Sequence, residues 1–348
     1  VKTANQLTNK NSSSIISTLF DNNQPITSND EKANVLNDFF CSQSTLDDSN
    51  HILPNINNIA NCSLSNSIIS LQDVKDAVAS MDPNKASGPD RISPILIREG
   101  IDVLAIPLSN YYTRLLSQSI FPIAWKRANV TRKLTLHYHQ TIDSVLTKLS
   151  WETYGTMCSQ IFVQLCHQQQ NSITIQSGFL KGDSTVNQLM YPTMTFANLK
   201  DDGKEVRAYV VTSLMRVDRV WHKGLNHKLS CIGIKGELLH WFRKYLSDRR
   251  QRVVIANYSS SWKDIYAGVL QGSILRPLLF LIFINDIVKG INSNIRLFAD
   301  DTSLYIIVDS PDTSANLLNS DFNTIQYIFG PKHGSLPSIK LKRNLYYF

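Results

Sequence analysis

Two adjacent carboxylates, Asp300 and Asp301, interrupt a pair of alternating runs. Ile295, Leu297 and Ala299 precede them at every second position, and Leu304, Ile306 and Val308 follow in the same rhythm. Period two on both flanks predicts a β-hairpin with the acids at its tip. Hard divalent cations such as Mg²⁺ take oxygen ligands, so a carboxylate pair fixed on a hairpin is the beginning of a metal site. A bare Asp-Asp is more often simply a polar turn, and the neighbouring residues change this. Upstream lies an apolar run, Leu278 to Ile284, bounded by Pro277 and Asn285. It falls far short of the roughly 18 apolar residues that a membrane span needs, and it reads as a buried helix.

The order of residues around the acid pair resembles the reverse transcriptases of non-LTR (LINE-type, jockey-like) retrotransposons. Gly268-Val269-Leu270-Gln271-Gly272-Ser273-Ile274-Leu275-Arg276-Pro277-Leu278-Leu279-Phe280 is similar to that family's G-V-P-Q-G-S-x-L-G-P-x-L-F segment. Ile284-Asn285-Asp286-Ile287 and Phe298-Ala299-Asp300-Asp301 follow as its I-N-D-I and F-A-D-D. Leu270 replaces a proline and Arg276 a glycine. Further matches are Lys85 to Asp90 (K-A-S-G-P-D), Trp125 to Val130, Gln176 to Phe179, Gly182 to Leu189, and Asp218 to His222 (D-R-V-W-H). The resemblance covers most of residues 70 to 325.

What it implies is an RNA-directed DNA polymerase of α+β class, built as the fingers and palm of the right-hand polymerase fold. Its partners would be an RNA template, a DNA primer or RNA/DNA hybrid, and deoxynucleoside triphosphates, with Mg²⁺ as cofactor. Two metal ions would activate the primer 3′-hydroxyl and hold the triphosphate. By the same resemblance Asp300 and Asp301 are catalytic and metal-binding. Gln271 and Gly272 sit beside the nucleotide, and Val217 takes the place of an aromatic residue under its sugar. Valine there would leave room for a 2′-hydroxyl, although a plain core residue is an equal reading of Val217.

One part of the pattern is missing. The family's first metal-bridging aspartate falls six residues before Asp218, where this chain has Thr212. A neutral hydroxyl is a poor substitute for a bridging carboxylate. Asp218 is no replacement, because six extended residues span about 20 Å. Val-Val-Thr-Ser-Leu-Met-Arg (210–216) is encoded by GTT GTG ACA TCT CTA ATG CGT among other choices. Read from the third base, those codons give Cys-Asp-Ile-Ser-Asn-Ala, close to the family's D-I-S-K-A. The hypothesis is a frame slip in this copy, and the nucleotide sequence tests it. Residues 131–172 carry no helical period or turn logic and lack the family's N-Y-R-P-I-S-L-L segment. Three readings follow: a reverse transcriptase domain impaired at Thr212, a catalytically inactive element-derived protein that binds RNA or hybrid, or a non-functional pseudogene product.

Composition sets the bounds. Over 348 residues, 43% are hydrophobic and 18% charged, enough for a sizeable core and against global disorder. The net charge of +7 suits an anionic partner without demanding one. Arg243, Lys244, Arg249, Arg250 and Arg252, interleaved with Trp241 and Tyr245, form the densest basic patch and are the candidates for tracking phosphates; a solvated face is the plainer alternative. Five cysteines show no C-x-x-C pair, which speaks against a disulfide framework and fits a reducing compartment. With no signal peptide or membrane span in the reading, the expected location is intracellular, nuclear or cytoplasmic. The chain opens on Val1, as a fragment or incomplete gene model would.

The elements that must position these residues are partly legible. Ser28 with Glu31, and Ser70 with Asp73, are capping-box signatures. The first opens a helix through Ala33, Val35, Leu36, Phe39 and Phe40; the second opens one with Val74, Ala77, Val78 and Met81 on a single face. Helices are expected over Val103 to Ser119 and over 236–247, then a strand at Val253 to Ile255 partnered by Trp262 to Ala267. The resulting division is an Asn/Ser-rich, loosely packed linker with one helix (1–66), a fingers-like region (67–199, with 131–172 anomalous), a palm-like region (200–329) and an irregular tail (330–348). The thumb is missing or unrecognisable.

Overall fold

The structure is a computed structural model that describes residues 18–21, 24–46, 53, 68–83, 92–131, 184–202, 205–211, 217–256, 258–269, 275–299, 301–308 and 311–329. Mixed helices and sheets make up the described chain, in keeping with the α+β expectation. Lys85 to Asp90, Gln176 to Phe179, almost all of the anomalous stretch 131–172 and the tail 330–348 lie outside the described residues.

Helices form the larger core. Helix α1 spans Asn29–Gln43, α2 Leu71–Ala79, α3 Pro94–Glu99 and α4 Ile101–Ser117. The Ser70–Asp73 capping box closes as its sequence demands: Ser70 Oγ accepts from Asp73 N at 3.1 Å, and Asp73 Oδ2 accepts from Ser70 N at 2.8 Å. Val74, Ala77, Val78 and Met81 are all buried, as their spacing predicts. Helices α6 (His222–Cys231), α7 (Gly236–Leu246) and α8 (Leu275–Ile284) complete the cluster around Trp241, Phe242 and Phe280. Helix α8 begins two residues earlier than its proline suggests, with Pro277 in the first turn, where a missing N–H costs nothing.

A two-stranded antiparallel ribbon, β1 (Leu19–Asp21) with β2 (Gln24–Ile26), precedes α1, and two larger sheets frame this core. In the first, β5 (Arg249–Ile255) pairs parallel with β3 (Arg127–Thr131) and antiparallel with β6 (Tyr258–Ser259) and β7 (Lys263–Ile265). Strand β5 starts four residues before the apolar run Val253 to Ile255. Its period is intact from the start, with Arg249, Gln251, Val253 and Ile255 all facing inward, but the first two inward positions are polar. In the second sheet, β9 (Asp301–Val308) is central between β4 (Glu205–Val211) and β8 (Asn294–Phe298), antiparallel to both. Helices α5 (Thr185–Asp201) and α9 (Pro311–Phe329) pack against it.

The expectation of a loosely packed N-terminal helix is not met. Helix α1 docks on β5, and Ala33, Leu36 and Phe40 share a small core with Val130, Val253 and Ile255. Asn37 is fully buried in the seam: its Nδ2 donates to Ser261 O at 2.9 Å, and its Oδ1 accepts from Gln251 Nε2 at 3.4 Å. At the far end Arg219 donates to the Gln43 carbonyl at 3.1 Å and to Gln43 Oε1 at 3.3 Å, a cation closing a helix C-terminus. Phe39, which looks like a core residue in sequence, is 57% exposed instead. We expect Asn37→Ala to cost about 1–3 kcal/mol, because it strands a buried carbonyl and amide; urea unfolding of the variant beside the parent measures it. A cost below 0.5 kcal/mol would mean that α1 adds little to the fold.

Candidate metal and nucleotide site

The hairpin expected around the acid pair is present. Strands β8 and β9 pair from Asn294↔Tyr305 to Phe298↔Asp301, so Ala299 and Asp300 form the two-residue connection in sequence. Ala299 adopts φ 53, the left-handed region that tight hairpin turns require and that glycine or asparagine usually supplies. Alanine there holds roughly 1–2 kcal/mol of local strain. Asp301 is half-buried at the first position of the central strand.

Strand β4 delivers its C-terminal end to the same edge. It finishes at Val211, whose ladder partner is Thr302, the neighbour of Asp301. Thr212, Gln271, Gly272 and Asp300 lie outside the described residues. Among the described residues no three acids, histidines or cysteines group as a metal cage; Asp301 is the candidate carboxylate that falls within them.

Two stretches far apart in sequence are sewn together downstream of β4. Gly268 N donates to Val220 O at 2.9 Å and Val269 N to Val217 O at 3.0 Å. His222 Nε2 lies 2.7 Å from Gly268 O; facing a carbonyl, that nitrogen carries the proton. Gly268 sits at φ +86, and a Cβ there would approach the Asp218 carbonyl oxygen to 2.6 Å. Only glycine allows this crossing. The head of the Gly268–Gly272 segment is thereby fixed on the Val217–His222 segment.

Comparisons with known proteins identify the family. Residues 156–326 match the family model described as reverse transcriptase (RNA-dependent DNA polymerase). The chain is 28% identical over 261 residues to the RNA-directed DNA polymerase from mobile element jockey of Drosophila melanogaster, covering 70% of this chain and 28% of that protein. It is 28% identical over 228 residues to the probable RNA-directed DNA polymerase from transposon BS of the same species, covering 63% of this chain and 25% of that one. The corresponding protein of transposon X-element is 23% identical over 242 residues, 66% of this chain and 26% of its own length. This chain carries the reverse transcriptase domain of a LINE-type element. It spans about a quarter of the length of these curated relatives.

Within this reverse transcriptase domain the basic patch divides. Arg249 is 3% exposed: its guanidinium donates to Tyr245 O at 2.9 Å and Trp125 O at 3.4 Å and lies over the Tyr245 ring. It is a structural cation, so its place among the phosphate contacts is corrected; buried guanidinium persists only where carbonyls satisfy it. Trp241 and Tyr245 are likewise interior. Arg243 and Lys244 are exposed. Arg250 pairs with Asp264 across β5 and β7 at 2.7 Å, and Arg252 donates to Asn129 and covers the Trp262 ring. Val217 is 4% exposed inside the main core, so its burial favours the packing reading.

Three anchors escaped the sequence reading. Lys228, buried on α6, donates to the Phe283 carbonyl and the Asp286 carboxylate. Burial pulls its ammonium below the ordinary value, and Asp286 pulls it back up. Asp286 of the I-N-D-I segment is therefore a clamp between α6 and the end of α8. Asp321 on α9, 1% exposed, accepts from Ser293 N at 2.6 Å and Asn292 N at 3.0 Å, which fixes the turn that enters β8.

His222 is the third. Burial holds its imidazole down to about 4, from an ordinary 6.5, with Arg249 adding a smaller push in the same direction. The unfolded chain takes up this proton as pH falls through 6.5, and the folded chain does not until about 4. Between those values the unfolded state binds more protons, so stability falls as pH drops across that window. The loss from pH 7 to pH 5 is on the order of 2 kcal/mol. Urea midpoints at the two pH values should show it. In His222→Gln, which keeps a donor for Gly268 without a titrating ring, the dependence should flatten; an unchanged dependence would assign it to other groups.

Proposed function

We propose that this chain is the fingers and palm of an RNA-directed DNA polymerase whose metal site is incomplete in this copy. The observation that carries the reading is the sheet register: β4 ends at Val211 beside Thr302, next to Asp301 at the start of β9, where the β8–β9 hairpin turns. Asp300 and Asp301 would hold a divalent metal, and carboxylate oxygens fit Mg²⁺. When bound, the ion supplies charge neutralisation at the transferring phosphate.

The chain's own residues then have distinct duties. The Gly268 crossing sets the direction in which the segment bearing Gln271 and Gly272 departs, beside the incoming deoxynucleoside triphosphate. Arg243, Lys244, Arg250 and Arg252 contribute to the field that draws in the RNA template and the primer or hybrid. Thr212 stands where a second set of carboxylate oxygens is needed, and it withholds one negative charge from the metal. An intracellular setting, nuclear or cytoplasmic, suits a protein that copies RNA.

Primer extension on an RNA template with Mg²⁺ or Mn²⁺ tests the reading. The expected result is no product above that of a variant carrying Asp300→Asn and Asp301→Asn. Extension clearly above that control would show that Thr212 does not disable the site. A second reading, a polymerase-derived binder of RNA or hybrid without catalysis, is favoured by the same missing acid beside a retained basic surface. It predicts hybrid binding that weakens steeply with salt.

A further inference from the structure

A cleft of about 800 Å³ opens between the start of α6, the α7–β5 junction, the start of β3 and strand β7. No residue of β8, β9 or α8 lines it, so it is separate from the metal hairpin. Of its fifteen lining residues, five are lysine or arginine and two are aspartate. That local excess compares with +7 for the whole 348-residue chain, so a large part of the protein's net charge converges on one concavity. His222 also lines it but stays neutral at pH 7.

The cations are held in a way that suits an incoming anion. Lys126 is almost wholly buried, yet its partner Asp248, 3.3 Å away, is 75% exposed; that carboxylate can swing into water when another anion arrives. Arg127 is exposed at the rim, its guanidinium 5.6 Å from the Trp262 ring centre. Lys223 stands exposed on the first turn of α6. Large apolar side chains share the lining and remain open to solvent: Ile123 is 71% exposed and Tyr266 66%. Positive charge beside an open aromatic ring and an aliphatic wall is the chemistry that takes a phosphate together with a flat ring. The volume lies within the range of small-molecule sites.

We infer that this cleft binds a nucleotide unit, with its phosphate toward Lys126, Arg127 and Lys223 and its base against Tyr266. The unit can come from a free nucleotide or from one residue of a single strand; the chemistry is shared.

The test is equilibrium binding of two probes in excess EDTA, which silences any metal-dependent site: dATP by calorimetry and a fluorescein-labelled eight-residue oligouridylate by anisotropy. Arg127→Glu with Lys223→Glu should weaken binding by at least about 10-fold, and Tyr266→Ala by about 5-fold or more. Arg114→Glu with Lys289→Glu removes the same charge from exposed positions that do not line the cleft and should change affinity less than about 2-fold, because salt screens exposed charges that make no contact with the ligand. Asp248→Asn, a gain-of-binding variant at an exposed residue, should tighten it. Displacement of the strand by dATP supports either source; binding of the strand alone assigns the unit to a strand. Absence of saturable binding by both probes, or equal weakening by the distant pair, overturns the inference.

Discussion

Asp286→Ala should lower the unfolding free energy by about 3–5 kcal/mol, the cost of leaving a buried charge without its partner. The size follows from the asymmetry of the pair. Lys228 and Asp286 have only 5% and 13% of their side chains exposed, and the ammonium also donates to the Phe283 carbonyl. Without the carboxylate, the ammonium must shed its proton or stay charged in an apolar seam between α6 and α8. Lys228→Met should cost less, since methionine fills similar volume and the Asp286 side chain, 13% exposed against 5% for Lys228, has more access to water. The double variant Lys228→Met with Asp286→Leu should be less destabilised than Asp286→Ala alone, as replaced ion pairs commonly are. Urea midpoints of the four proteins decide the matter. An Asp286→Ala midpoint within experimental error of the parent would mean that this pair lies open to water in solution.

The second large effect concerns activity. Thr212→Asp alone should not give measurable nucleotide incorporation. It returns one carboxylate to a stretch, Ser213-Leu214-Met215-Arg216, that departs from the family's pattern throughout, and a guanidinium where the family has a small residue is costly if it is buried. Replacing residues 211–217 by Cys-Asp-Ile-Ser-Lys-Ala-Phe should do better, because it restores the acid, the small residue and the aromatic together. Partial recovery is the expected outcome, since 131–172 would still depart from the family's pattern. Single-nucleotide incorporation at equal folded concentration compares the two proteins. Equal activity in the point variant and the replacement would show Thr212 to be the sole defect.

Legibility tracked how local the cause of each feature was. The β8–β9 hairpin and helix α2 could be read directly, because period two and a capping box are written within a few consecutive residues. The early start of β5 could not: its inward positions are Arg249 and Gln251, and their burial depends on acceptors from Trp125, Tyr245 and Asn37, more than a hundred residues away in two cases. The docking of α1 was hidden in the same way, since one of its two fully buried side chains is a polar asparagine while Phe39 faces out. Asp286 and His222 were visible as members of matched segments, but their roles were not. A short motif names its residues without saying which of them hold the fold and which face the substrate.

The Gly268 crossing has a consequence for how damage spreads in such a chain. Six positions after Thr212, at Asp218, the sequence has resumed its familiar order, and from Val217 to His222 three bonds tie it to Gly268 and Val269. On the other side, β4 is secured to β9 over all seven of its residues. Residues 212–216 are thus bracketed by two fastenings. On the proposed reading, a slip confined to them is like a break between two welds: it would remove what the stretch itself does and leave the frame around it standing. Loss of catalysis and retention of architecture would then be separable outcomes of a single slip.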